Sequence, residues 1–270
     1  MADVKQGPKK VTEEQVTDFV LTQQNVQDEN QANAVITEYP ILDFDENALA
    51  KLSCGIKETL RQSDLHPAGG KGYLFIKRFF DIVVSFLGLV ILCIPMAIVA
   101  LCIFIEDGHF PIFAQTRLTE DGKPFRMYKF RSMCVDAEKK FQEVQAQNEA
   151  EGAVFKIRDD PRVTKIGRFI RRTSIDELPQ LWNVLKGDMS LIGPRPPLPR
   201  EVVMYTPREM DRLQIKGGLG TLAQAKGRSH LSFDQWVDYD LDYIQNRSFK
   251  MDCKIFFSII GAVLRKEGAE

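Results

Sequence analysis

The sequence predicts a mainly α chain with little β: a membrane helix kinked at Pro95, followed by a mixed α/β domain. Three observations carry that prediction. Residues 82–105 hold no charge across 24 positions. Several later segments repeat apolar residues at helical spacing, and only two short stretches alternate like strands. The polar residues are unevenly placed. Residues 1–68 contain twelve acidic against six basic side chains, which leaves the rest at +5 within a formal total of −1.

The first forty residues have little periodicity and read as a largely disordered leader. Within residues 45–61 the pattern changes. Leu49, Leu52, Ile56 and Leu60 recur at helical spacing behind Asp45 and Glu46, residues suited to a helix start. The glycine-rich stretch from His66 reads as a linker, so the leader is bounded at residue 70. The opening MetAlaAspValLys has no apolar region behind it and reads as no secretory signal.

From Ile82 to Ile105 only Ser85 and Pro95 interrupt an apolar helix. A helix of this length extends about 36 Å, enough for a hydrocarbon core of roughly 30 Å. Membrane insertion of residues 71–106 is therefore expected. Pro95 lies near the middle, where it removes a backbone donor and favours a bend. Lys77 and Arg78 precede the run, while Arg117, Lys123, Arg126, Lys129 and Arg131 come after it. With positive charge on both flanks, hydropathy alone leaves a crossing and a re-entrant helix open.

Residues 111–114 and 125–131 read as short strands around a turn at Asp121-Gly122, and 136–150 as a polar helix. Residues 164–172 and 178–185 read as two helices separated by an elbow. Residues 232–244 read as an amphipathic helix, and 255–264 as an apolar one too short to span. Five cysteines with no CxxC pattern fit a reduced, cytoplasm-facing protein.

The chemistry concentrates in residues 168–183. Ser174 and Glu177 have capping-box spacing, while a start nearer Asp176 places Pro179 in the first turn. Either start puts Asp176 and Glu177 at a helix N-terminus. Residues 156–172 contribute seven basic side chains, and GlyProArgProPro (193–197) would hold Arg195 in a stiff loop. Paired carboxylates among arginines suit a site where phosphate and Mg²⁺ meet. An aspartate can also attack phosphorus and split one transfer into two steps. A capped, solvated basic helix explains the same residues without any chemistry.

Other signals carry less. Gly218, Gly220 and Ala223 match GxGxxA in isolation, and Asp238, Asp240 and Asp242 read as a wet helix face. Trp182 and Trp236 read as core or interfacial anchors, and His109 and His230 are isolated. No aromatic platform accompanies the basic stretch, so no nucleic-acid partner is expected. A homo-oligomer is neither required nor excluded.

The order LysArgPhePheAsp (77–81), GlnThrArgLeu (115–118), LysPheArgSerMet (129–133), AspProArgValThrLysIleGlyArg (160–168), ThrSerIleAspGluLeuProGlnLeu (173–181) and GlyAspMetSerLeuIleGlyProArgPro (187–196) resembles the bacterial sugar transferase family. These are the monotopic polyprenyl-phosphate phosphoglycosyl transferases. The resemblance runs from about residue 71 to the C-terminus. It implies a re-entrant membrane helix and a cytoplasmic α/β catalytic domain over 107–270, at the bacterial inner membrane. It further implies transfer of a hexose-1-phosphate from a UDP-sugar to undecaprenyl phosphate. Asp176 would be the nucleophile, Glu177 and Asp176 would hold Mg²⁺, and Arg171, Arg195, Arg228, Lys129 and Arg131 would contact substrate. Ile94 before Pro95, and LysGlyGlyLeuGlyThr (216–221), depart from the family pattern. The alternative is a membrane-anchored adaptor with a decayed site.

Overall fold

The computed structural model describes residues 10–11, 43–137, 140, 160–226 and 231–265. The predicted disorder before residue 40, the predicted helix at 136–150 and Arg228 therefore fall mainly or wholly outside the described residues. Among the described residues helices dominate, and strands form three two-stranded sheets.

Strand β1 (Lys10–Val11) pairs in parallel with β2 (Asp43–Phe44). Helix α1 (Glu46–Arg61) forms where periodicity predicts it. Asp45 caps it, its carboxylate accepting from the Ala48 N–H at 2.7 Å. Yet α1 is not set apart from the rest of the fold. Leu52 and Ile56 share a buried cluster with Leu118, Val202, Tyr205 and Leu213, and the Ser53 hydroxyl donates to the Gly122 carbonyl. The same apolar stripe that makes α1 a helix needs a partner, and residues far along the chain supply it.

Helix α2 (Lys71–Asp107) runs 37 residues and remains helical through Pro95. One edge faces the body: Asp81, Ser85 and Ile103 are buried, and Phe80, Val84, Leu89 and Leu92 pack on the main core. The opposite edge exposes Phe79, Phe86, Val90, Ile91, Ile94 and Ile98. Among the described residues it is the one helix long and apolar enough to cross a membrane.

The hairpin β3 (Ile112–Leu118) and β4 (Pro124–Phe130) has antiparallel register from Ile112↔Phe130 to Leu118↔Pro124. Its turn uses Asp121 and Gly122, both at positive φ. Helices α3 (Lys165–Arg172) and α4 (Gln180–Lys186) flank a 3₁₀ turn at Ile175–Glu177. Strand β5 (Ser190–Ile192) then leads through short helices α5 (Pro199–Val202) and α6 (Pro207–Met210) to β6 (Gly218–Gly220), which pairs with β5 in parallel. Helices α7 (Leu222–Lys226), α8 (Phe233–Asn246) and α9 (Phe249–Arg265) complete the core.

Two readings of isolated signals change here. The GxGxxA glycines serve backbone approach, since a Cβ on Gly218 would lie 2.1 Å from the Gly193 nitrogen. Asp240 does not belong to a wet face. It is 3% exposed and paired with Arg212 at 2.7 Å, because α8 turns that side onto the 3₁₀ segment Asp211–Gln214.

Candidate active site

Strand β4 carries Lys129 near its end. The next residues pair with the segment before α3: the Thr164 N–H donates to the Ser132 carbonyl at 3.1 Å and the Cys134 N–H to the Arg162 carbonyl at 2.9 Å. Thr164 caps α3, accepting from the Gly167 N–H at 2.9 Å. Gly167 has to be small, because an added Cβ would sit 2.0 Å from the Ser132 carbonyl oxygen. This contact seats α3 beside the end of β4.

After α3 the chain reverses at Ser174, whose φ is 56°. Of the two helix starts the sequence left open, the capping box between Ser174 and Glu177 is not the one used. In this left-handed conformation the Ser174 side chain makes no cap bond, and its N–H closes α3 on the Arg171 carbonyl at 3.0 Å. Asp176 and Glu177 therefore occupy the 3₁₀ turn ahead of α4. Pro179 immediately precedes α4, at a position that needs no donor.

These elements bring four predicted residues together. Lys129 Nζ lies 3.1 Å from Glu177 Oε1. Arg171 donates from Nε to the Ser132 hydroxyl at 3.0 Å and interacts electrostatically with Asp176. Asp176 is only 9% exposed. Burial pushes its carboxyl up to about 6, the Glu177 charge adds to the rise, and Lys129 and Arg171 oppose it. At pH 7 about nine-tenths of such a group is ionised, yet it is poorly solvated. A carboxylate stripped of water beside fixed cations is suited to attack an anionic electrophile.

The other predicted residues make contacts of their own. Arg131 donates from Nε to the Phe110 carbonyl at 3.0 Å, tying the end of β4 to the segment after α2. Arg195 projects from buried prolines as expected, but its guanidinium lies 5.8 Å from the Trp236 ring centre, in a cleft shared with Glu201, Tyr205 and Arg212. Trp182 is half-exposed.

Sequence reasoning missed Ser132, and it missed the buried ion pair of Asp160 with Arg162 at 2.6 Å. Against the raising effect of burial, hydrogen bonds from Arg162 hold the Asp160 carboxyl low. The Asp-Pro-Arg turn was a usable signal for the pair, since Arg162 also donates its backbone N–H to Asp160 at 3.0 Å. Ser132 stood within the LysPheArgSerMet motif, where no local pattern assigned it a role. Among the described residues, no group of three or more His, Cys, Asp or Glu side chains converges to hold a metal. At this site the carboxylates available to a cation are Asp176 and Glu177.

Residues 72–266 match the family model described as bacterial sugar transferase. The chain is 46% identical over 199 residues to the galactosyl transferase CpsE of Streptococcus agalactiae, covering 73% of this chain and 44% of that protein. It is 41% identical over 199 residues to the undecaprenyl-phosphate galactose phosphotransferase of Salmonella typhimurium, covering 72% and 42%. With the exopolysaccharide production protein ExoY of Sinorhizobium fredii, identity is 34% over 209 residues, covering 76% and 91%. The matched region thus spans under half of the first two relatives and most of the third. The family match takes in α2, the hairpin and the whole Asp176 neighbourhood, so the chain belongs to the bacterial sugar transferase family.

Proposed function

We propose that the protein transfers a hexose-1-phosphate from a UDP-sugar to undecaprenyl phosphate, the membrane step that begins assembly of an exopolysaccharide or related glycan. The observation that carries this reading is the buried Asp176 carboxylate, set among Lys129, Arg171 and Glu177. In the first step an Asp176 oxygen attacks the sugar-bearing phosphorus. The bond from that phosphorus to the bridging oxygen breaks, and UMP leaves with the electron pair. In the second, an oxygen of the lipid phosphate attacks the same phosphorus and releases Asp176. Arg171 and Lys129 offset charge gathering on the phosphoryl oxygens. The names of the Salmonella and Streptococcus relatives support a galactose-handling phosphotransferase.

Mg²⁺ is commonly held by one or two carboxylates together with substrate phosphates, and Asp176 with Glu177 fits that donor set. Bound there, it would neutralise phosphate charge. The adaptor alternative loses support because the candidate nucleophile, both cations and Glu177 remain assembled.

Membrane insertion of α2 is supported by its exposed apolar edge. A re-entrant rather than crossing arrangement is supported by its two ends. Lys77 bonds to Ile192 and Asp252 at one end, and Glu106 accepts from the N–H groups of Lys165 and Ile166 at the other. Both ends thus hold the same polar body, which supports an arrangement with the two on one side of a bilayer, the cytoplasmic side under this proposal.

The test is UMP release by purified protein given UDP-galactose or UDP-glucose, with and without undecaprenyl phosphate. Mass spectrometry of the Asp176 peptide is expected to find a phosphosugar when lipid is withheld. Full turnover by Asp176→Asn would refute the assigned nucleophile. Exposed Cys54 offers a label for sidedness, expected to react from the cytoplasmic side alone.

A further inference from the structure

We propose that Ser132 is a positioning residue whose hydroxyl selects which edge of the Arg171 guanidinium meets substrate phosphate. The inference rests on the reading of the Asp176 site as a phosphoryl site, and it names a residue outside the set the sequence singled out. Its geometry is two-handed. The Ser132 carbonyl accepts from the Thr164 N–H at 3.1 Å, at the start of α3. Its hydroxyl accepts from Arg171 Nε at 3.0 Å, near the end of the same helix. Gly167 lies between these grips, where any Cβ would strike the Ser132 carbonyl. Gly167 and Arg171 are four residues apart and share a helix face, so one residue just past β4 holds the helix at both of its ends.

The choice of nitrogen matters. A guanidinium can grip an anion through Nε with one terminal nitrogen, or through its two terminal nitrogens. With Nε engaged by Ser132, a bidentate phosphate contact has to use the terminal Nη1 and Nη2 pair. Arg171 is a long side chain with exposed surface that its neighbours partly desolvate, and the Ser132 bond restricts its rotamers beyond the pull of Asp176 and Asp160. Ser132 thereby removes rotamer freedom before substrate arrives, and the gain appears as substrate affinity more than as rate. Asp160 reinforces the arrangement: it attracts Arg171 electrostatically, while its ion pair with Arg162 keeps it in place.

The experiment is a double-mutant cycle in the full chain in detergent, reading UDP affinity by calorimetry and KM and kcat for UMP release from UDP-galactose and UDP-glucose. Ser132→Ala is expected to weaken UDP binding and raise KM by about tenfold, as for loss of one charge-assisted hydrogen bond's ordering, with a smaller change in kcat. Ser132→Thr, which keeps the hydroxyl, is expected to restore both. In an Arg171→Ala background, Ser132→Ala is expected to add nothing. Additive losses, failure of threonine to rescue, or unchanged UDP affinity in Ser132→Ala would each overturn the positioning role. The underlying reading fails separately. Should UDP binding follow the cycle while neither sugar nucleotide yields UMP, galactose and glucose fall as the transferred sugar and the role of Ser132 stands.

Discussion

Replacing Asp176 with asparagine is expected to abolish transfer while making the protein more stable. The carboxyl titrates at about 6 in the folded protein against an ordinary 3.8, a rise caused first by burial. That difference corresponds to about 3 kcal/mol. The sign comes from linkage: the native state binds this proton more tightly than the unfolded chain, so ionisation is a cost to folding. The cost is absent below about pH 4, grows between pH 4 and 6, and is complete above that. Asparagine never carries the charge, so its advantage is expected to reach a few kcal/mol at pH 8 and to fade towards pH 4. For a domain of this size each kcal/mol moves Tm by about 2–4 °C, giving a gain of several degrees at pH 8. Thermal unfolding of both forms in one detergent, from pH 4.5 to 8, measures it. An asparagine variant that is no more stable at pH 8, or whose advantage is undiminished at pH 4.5, would refute the argument that this carboxylate is held charged at the expense of folding.

The same titration predicts that phosphosugar formation on Asp176 rises about tenfold per pH unit below pH 6 and levels above it, read by rapid-quench UMP release. Lys129 holds the Asp176 carboxyl down, so Lys129→Ala is expected to move the midpoint of that profile above 6, and Lys129→Arg to move it back. Leu52→Ala and Ile56→Ala, in a helix outside the family-matched span, are each expected to cost about 2–4 kcal/mol in denaturant unfolding, because both side chains are buried against Leu118 and Tyr205. Asp240→Ala is expected to cost about 3–5 kcal/mol by the same measurement, since it leaves the Arg212 guanidinium buried without its carboxylate.

What was legible in the sequence was local. Asp45 with the Leu52 and Ile56 stripe specified α1, the uncharged run specified α2, and alternation around Asp121-Gly122 specified the hairpin. The apolar spacing over 232–244 specified α8, which Ser232 caps. Tertiary facts were not legible. Strands β5 and β6 have three residues each and pair across a long separation, too short for periodicity to register. Asp240 looked like its neighbours Asp238 and Asp242 until α8 was rotated against Arg212. The candidate site divides the same way. Asp176, Glu177, Arg171 and Lys129 gather because β4, α3 and the 3₁₀ turn meet there. Arg131 and Arg195 also contact Phe110 and Trp236, partners named only by the fold.

The apolar helix and the candidate nucleophile are one mechanical unit. Helix α4 lies directly behind Asp176, and α2 holds it along its length. Arg78 donates to the carbonyls of Val184 and Leu185 at 2.7 and 2.8 Å, satisfying acceptors that the end of α4 would otherwise leave open. Nearer the front of α4, Leu181 presses on Gly88, within 3.1 Å of where a Cβ would stand. Gripped at both places, a seven-residue helix about 10 Å long has little freedom to slide or tilt along α2. Asp176 lies four residues upstream of α4, so its distance from the exposed edge of α2 is set by the same two contacts. Once that edge is buried in lipid, the height of the carboxylate above the hydrocarbon is a property of the folded chain. An acceptor whose phosphate is confined to one plane by its own tail requires such a fixed height. Under the proposed function, the Gly88–Leu181 and Arg78–α4 contacts are the ones that would hold Asp176 at a fixed height relative to such a phosphate.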